Sequence, residues 1–504
     1  MGYPLIILTD VRKQIGYGAL FLLLIGMVLP VGAGTIESSL RNKLAAADPH
    51  DEIPVIIRLI GKADLEKIQD REKGVRKAKI IRALKETANS AHPQLQAFLA
   101  KNKTKKHRSL WLINGIAATV PVALVAELAA FPGVEAVTLD AMIHSPETTY
   151  SSAGVPAWNI TAIHAQELWN LGFTGQGVVV ANLDSGVDLD HPDLQGRWRG
   201  GTNSWFDPNN EHSSPADVNG HGTQTMGIMV GGAAGGTSIG VAPGARWIAV
   251  KIFNDAGDAS YSAIHAGFQW LLDPDGNTET DDAPDVVNNS WGLQDSAHGC
   301  ITEFQTDIVT LKTAGIALTF SVGNDGPAAA TSVSPANYPE SFSVGAVDST
   351  DSLLNLSSRG PSACGGGIYP GVVAPGVDIR TTDLFLGIPD AYVTKSGTSF
   401  AAPHLAGAMA LLISAVPGLH LPQLETALKN SATDLGVAGA DNDYGHGLVD
   451  VLRAYRLLKE DRIAVYFDGL WFADVNGNGL WDGTPTDRIY WHGFNGVTPV
   501  TGNW

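Results

Sequence analysis

The sequence predicts an α/β protein: a parallel sheet with helices on both faces, preceded by a small α+β domain of split-βαβ type and followed by a short β-rich tail. Three observations carry this. Between residues 150 and 460, short apolar runs ending at Gly, Asn or Asp alternate with helical stretches, the pattern of a sheet buried on both sides. Between 53 and 139 a shorter series reads β-α-β-β-α-β. After 460 the composition turns to Trp, Gly and Asp with no helical period.

In the first series, IPVIIRLI (53–60) is apolar and β-branched, and a Lys/Arg/Glu/Leu-rich segment from 64 to 102 has helical character. SLWLINGIAATV (109–120) makes a strand region that turns at Asn114-Gly115, VALVAELAA (122–130) is helical, and VEAVTL (134–139) is a strand. In the second series, strands are expected at 177–184, 245–253, 285–291, 316–324 and 341–347, with helices at 161–171, 261–272 and 304–314. Sites in such sheets form at the carboxyl ends of strands.

Charge divides the chain. Residues 34–150 hold 17 Lys and Arg against 13 Asp and Glu, whereas 151–504 hold 14 against 37. So acidic a main body excludes nucleic acid as a partner, because phosphate contacts need clustered cations. At the N-terminus Arg12 and Lys13 precede the apolar run 18–34, which ends in small residues after Pro30. This reads as a signal peptide over 1–33, against the alternative of an uncleaved anchor. A secreted protein without stable membrane insertion after cleavage is expected. Cys300 and Cys364 are the only cysteines, and the sequence leaves open whether they pair or stay free. The acidic stretch TETDDAPD (278–285) reads as a calcium site or as a solvated loop.

The chemistry lies in four residues. Asp184 ends the run VVVANLD, His221 stands in the Gly-rich turn NGHGTQTMG, Asn324 ends IALTFSVGN, and Ser399 sits between a Gly-Thr turn and an apolar helix. Singly, each has an ordinary turn or cap role. Together they supply a carboxylate, a base, an amide donor and a hydroxyl at a helix N-terminus, every role acyl transfer requires. No HExxH motif supports a metalloprotease, and Ala401 stands where a nucleophile elbow needs glycine. A binding-only homologue is the remaining alternative, and it normally lacks one of the three groups present here.

The blocks NLDSGVDLDHPDL (182–194), NGHGTQTMG (219–227), VVNNSWG (286–292), FSVGNDGP (320–327), SSRGP (357–361), VVAPG (372–376) and SGTSFAAPH (396–404) resemble the subtilisin-like serine proteases, most nearly the bacillopeptidase F-like branch. The triad order Asp, His, Ser is the subtilisin order. The resemblance implies a serine endopeptidase acting on proteins and peptides, with Asp184 as orienting carboxylate, His221 as base and then acid, Ser399 as nucleophile and Asn324 as oxyanion donor. It implies that Ser290, Trp291 and Gly292 line the substrate, and that Ser396, His191 and His404 are structural neighbours. Gln224 and Met226 depart from the family pattern. The implied organisation is signal 1–33, propeptide inhibitor and chaperone 34–148, catalytic domain 149–460 and tail 461–504, with self-processing and no organic cofactor. In the tail, Asp474, Asn476, Asn478 and Asp482 offer oxygens at alternate positions. They suit calcium, or else belong to an aromatic-packed turn without metal.

Overall fold

The computed structural model describes residues 34–459 except 71, 105, 147, 148, 151–157, 294, 296 and 388–390, together with three strands near the C-terminus. The main body is a seven-stranded sheet in the order Val372–Pro375, Phe342–Val347, Ala317–Ser321, Val286–Asn289, Val179–Asp184, Arg246–Lys251, Trp205–Phe206. Every pairing in it is parallel. Its strands are buried along their length because helices cover both faces. His221–Val230, Thr398–Ala415, Leu421–Ser431 and Val451–Lys459 contribute to one apolar cluster. Tyr261–Leu272 and Gln305–Thr313 contribute to the other. The expected strands appear with shorter ends. The two edge strands Trp205–Phe206 and Val372–Pro375 were not anticipated: two residues carry no period, and VVAPG resembles a turn.

The N-terminal body has five strands in the order Thr35–Ile36, Val134–Leu139, Glu52–Leu59, Gly115–Pro121, His107–Leu110. Its hairpin turns at Asn114, in the left-handed region at φ 48°, whose side-chain amide donates to the carbonyls of Ile60 and Gly61. The helix Lys73–Lys101 is 29 residues long and serves two cores. Its second half sends Leu95 and Leu99 into the N-terminal body. Its first half sends Ile80, Ile81 and Leu84 into an apolar cluster shared with the main body.

That first half also carries the cations of the contact. Lys73, Lys77, Arg82 and Lys85 pair with Asp285, Asp281, Glu279 and Asp273, and Arg58 pairs with Glu303. Among the described residues, every Lys or Arg ion pair between the two bodies has its cation on the N-terminal side. The acidic stretch 278–285 stays exposed over 279–281, as a solvated loop does, while Glu279, Asp281 and Asp285 pair with the N-terminal helix. It receives a basic helix. Glu303 also meets His265 Nε2 at 2.9 Å, while His265 Nδ1 meets Asp307 at 2.9 Å. Burial opposes the charge on His265, but Asp307 and Glu303 outweigh it and hold the group up to about 9. Arg58 thus joins His265, Glu303 and Asp307 in one cluster. An antiparallel pairing of Met142–His144 with Asp258–Ser260 continues the contact.

Cys300 and Cys364 form a disulfide across 64 residues, resolving the alternative left by the sequence. Replacing both by serine should leave the fold intact but lower its stability by about 4 kcal/mol, from the loop entropy restored to the unfolded chain. Denaturant titration of the oxidised protein and the double variant checks this.

Candidate active site

The sheet grows outward in both directions from the neighbouring strands Val179–Asp184 and Val286–Asn289, so the loops at their carboxyl ends diverge and leave a crevice. Asp184 is the last residue of the first strand. His221 is the first residue of His221–Val230, entered through Gly220 in the left-handed region at φ 93°. His221 Nδ1 lies 2.8 and 3.0 Å from the two oxygens of Asp184. Because a carboxylate only accepts, the Nδ1 proton faces Asp184, and Nε2 is left for the crevice. Both residues are at most 1 % exposed. Backbone packing here is tight: a Cβ on Gly222 would stand 2.1 Å from Gly186 O, so glycine lets the histidine helix approach the aspartate turn.

Asp217 holds the loop before His221. Its Oδ1 accepts from the backbone of Asn219 and Gly220 and from the Ser185 hydroxyl, and its Oδ2 accepts from Thr223. Sequence reasoning passed over this residue, since an Asp two positions before Asn-Gly reads as an ordinary turn.

Ser399 is the second residue of Thr398–Ala415 and is 4 % exposed. Its Oγ donates to Ser290 O at 3.3 Å, while His221 Nε2 is buried with no hydrogen-bond partner. The Asp–His link is therefore formed, and the His–Ser link is not made in this state. Such links often tighten only with substrate bound. The His221 ring lies 5.9 Å from that of Phe400, next to the serine. The helix start leaves the Ser399 N–H unclaimed by the helix and adds a partial positive charge. Asn324 Oδ1 accepts from the Thr398 N–H at 3.0 Å and from its hydroxyl at 3.1 Å. Holding the carbonyl this way orients the amide NH₂ of Asn324 as a free donor.

The other expected site residues separate. Ser290 is buried beside Ser399. Trp291 is 1 % exposed, and its ring packs on Phe304 and near Phe268, so its side chain belongs to the core. Gly292 is held to glycine by Val333, whose Cγ1 would lie 2.6 Å from an added Cβ; Val333 also lies 2.7 Å from a Cβ added to Gly323. The half-buried Val333 thus occupies the slot between the segments of Ser290 and Asn324, and no sequence pattern marked it. His404 is buried between Phe400 O and Asn159, where burial pushes its pKa down to about 4; His191 caps Asp193 N and meets Ala391 O. Both have structural partners. Gln224 donates to Asp383. Asp474, Asn476, Asn478 and Asp482 lie outside the described residues. Asp273, Asp275 and Asp282 have oxygens within 4.8 Å of one another, yet Lys85, Thr280 and Asn203 already engage them.

The chain is similar to known proteins. The model of the subtilase family matches residues 175–447. The chain is 34 % identical over 436 residues to bacillopeptidase F of Bacillus subtilis (strain 168), covering 78 % of this chain and 29 % of that protein's length. It is 35 % identical over 355 residues to subtilisin E of the same organism, covering 69 % and 83 %. It is 36 % identical over 302 residues to a subtilisin of Bacillus pumilus, covering 59 % and 98 %.

If Asn324 donates to a developing oxyanion, Asn324→Ala should lower kcat by about 10²–10³ with little change in KM, because the amide is matched to the transition state and hardly to the ground-state carbonyl. Steady-state kinetics on an acyl substrate measures both constants.

Proposed function

The chain belongs to the subtilase family of serine proteases, and from that premise we propose that it is a secreted, self-processing endopeptidase whose triad is Asp184, His221 and Ser399. The observation that carries the assignment is the buried two-oxygen grip of Asp184 on His221 Nδ1, which fixes the tautomer with Nε2 toward the crevice that holds Ser399. In the reaction, Ser399 Oγ attacks the scissile carbonyl carbon as His221 Nε2 takes its proton. The carbonyl oxygen, now anionic, accepts from the Ser399 N–H and the Asn324 amide. Collapse breaks the C–N bond, and His221 returns the proton to the leaving amine. Water, deprotonated by His221, then attacks the acyl-enzyme and frees Ser399. Asp184 holds the ring in place and stabilises the imidazolium. Val333 between Gly292 and Gly323 favours a small side chain next to the cleaved bond.

The N-terminal body, within 34–148, acts in this reading as folding aid and inhibitor. Its support is the one-signed ionic contact and the paired strands Met142–His144 and Asp258–Ser260, after which the chain reaches Thr149–Tyr150. Those two residues lie antiparallel to Tyr392–Ser396, just before the serine helix. The chain leaving the N-terminal body thereby pairs with the strand that leads into the serine helix. For calcium, the loop 474–483 remains our candidate, on its alternating oxygens.

Ser399→Ala should fold, lose about 10⁶ in kcat, and accumulate as full-length precursor. Casein hydrolysis and gel analysis read both, and normal processing by this variant, with loss in Ser396→Ala instead, excludes the assignment. For the inhibitor, Asp281→Lys in the full chain should shorten the lag before activity appears by about tenfold, since it repels the buried Lys77. The swap with Lys77→Glu should restore the lag, and added salt should shorten it in the parent.

A further inference from the structure

Beneath the crevice runs a line of polar side chains that the reaction above does not use. Asn182, Asn288 and Thr319 stand side by side on three adjacent strands, in register. The Thr319 hydroxyl donates to Asn288 Oδ1 at 3.2 Å. The Asn288 amide donates to Asn182 Oδ1 at 3.1 Å and to Ser290 Oγ at 3.0 Å. At one end, the Asn182 amide donates to Gly222 O at 3.0 Å and to Thr225 Oγ1 at 2.7 Å, both on the helix that begins with His221. At the other, Ser290 Oγ donates to Ser399 O at 2.8 Å. All these residues are buried.

The far end depends on a proline. Pro403 lies four residues after Ser399 and has no N–H, so the helix cannot bond the Ser399 carbonyl. The Ser290 hydroxyl takes its place. At the near end, Thr225 accepts from Asn182 and donates to Gly222 O at 3.1 Å, so both hydrogens of each asparagine amide have acceptors. An amide pair in an apolar sheet is costly unless satisfied, and a satisfied one admits a single arrangement.

We propose that Asn182 and Asn288 are positioning residues: with Thr225 and Ser290 they form a strut that sets the spacing between the helix carrying the base and the helix carrying the nucleophile. The inference rests on the assignment of His221 and Ser399. Because the His–Ser link is not preformed, that spacing decides how readily substrate completes it. An error of about 1 Å there costs on the order of 10²-fold in rate.

The test uses mature enzyme processed from the full chain. Asn182→Val keeps the volume near that of the parent and removes both donated amide bonds and the acceptor for Asn288. Its kcat on a peptide anilide should fall about 10- to 100-fold with KM within about twofold, at temperatures well below its melting point. Thr225→Val, of the same shape as threonine, should cause a smaller fall of the same kind, and it carries the test if Asn182→Val does not fold. Asn182→Ser, which can still meet Asn288, should recover part of the rate. A folded Asn182→Val or Thr225→Val with kcat within twofold of the parent overturns the strut, as does a loss that cooling restores in step with stability. Failure of Ser399→Ala to abolish activity in the parent instead overturns the functional assignment, and the strut with it.

Discussion

The site depends on the direction in which a parallel sheet is wound. From Val179–Asp184 the chain first builds the sheet on one side, through Arg246–Lys251, and then crosses to Val286–Asn289 on the other. Adjacent strands whose connections leave in opposite directions open a crevice at their carboxyl ends. Asp184, Ser290 and Asn324 stand at or just beyond three such ends, and the two helices that return to the same edge begin at His221 and Thr398. No side chain has to reach far. The cost is polar burial, and hydrogen bonds meet it: Asp184 accepts from His221 and from Ser185 N, and Asp217 gathers the loop.

A second constraint is electrostatic. A strongly acidic main body repels itself, and its acids around 273–285 stand close together. The basic half of Lys73–Lys101 neutralises them while its apolar residues join an apolar cluster of the main body. Most of these pairs are partly exposed and individually weak. Their common sign makes orientation of the two bodies specific, and the apolar contacts beneath supply the larger share of the binding.

The four residues proposed for the site were legible in the amino-acid sequence because each closes an apolar run or opens a Gly-rich helix start, features that local pattern reveals. It also indicated the split-βαβ body and the covered parallel sheet. What it did not reveal is non-local. The role of 278–285 depends on cations about 200 residues away, the cysteine pairing on two loops that meet only in the fold, and Val333 on two glycines of other segments. Asn182 was visible as a polar residue inside VVVANLD, yet its meaning required the register that sets it beside Asn288. Trp291 shows the reverse: its block placed it near substrate, and packing against Phe304 turned its side chain into the core.

Covalent trapping asks whether Ser399 is the activated nucleophile. The mature protein is treated with a fluorophosphonate, digested and mapped by mass spectrometry. One adduct is expected, on the peptide containing Ser399, lost in His221→Ala although that variant remains folded. An adduct on Ser396, or inactivation with Ser399 unmodified, would contradict that assignment.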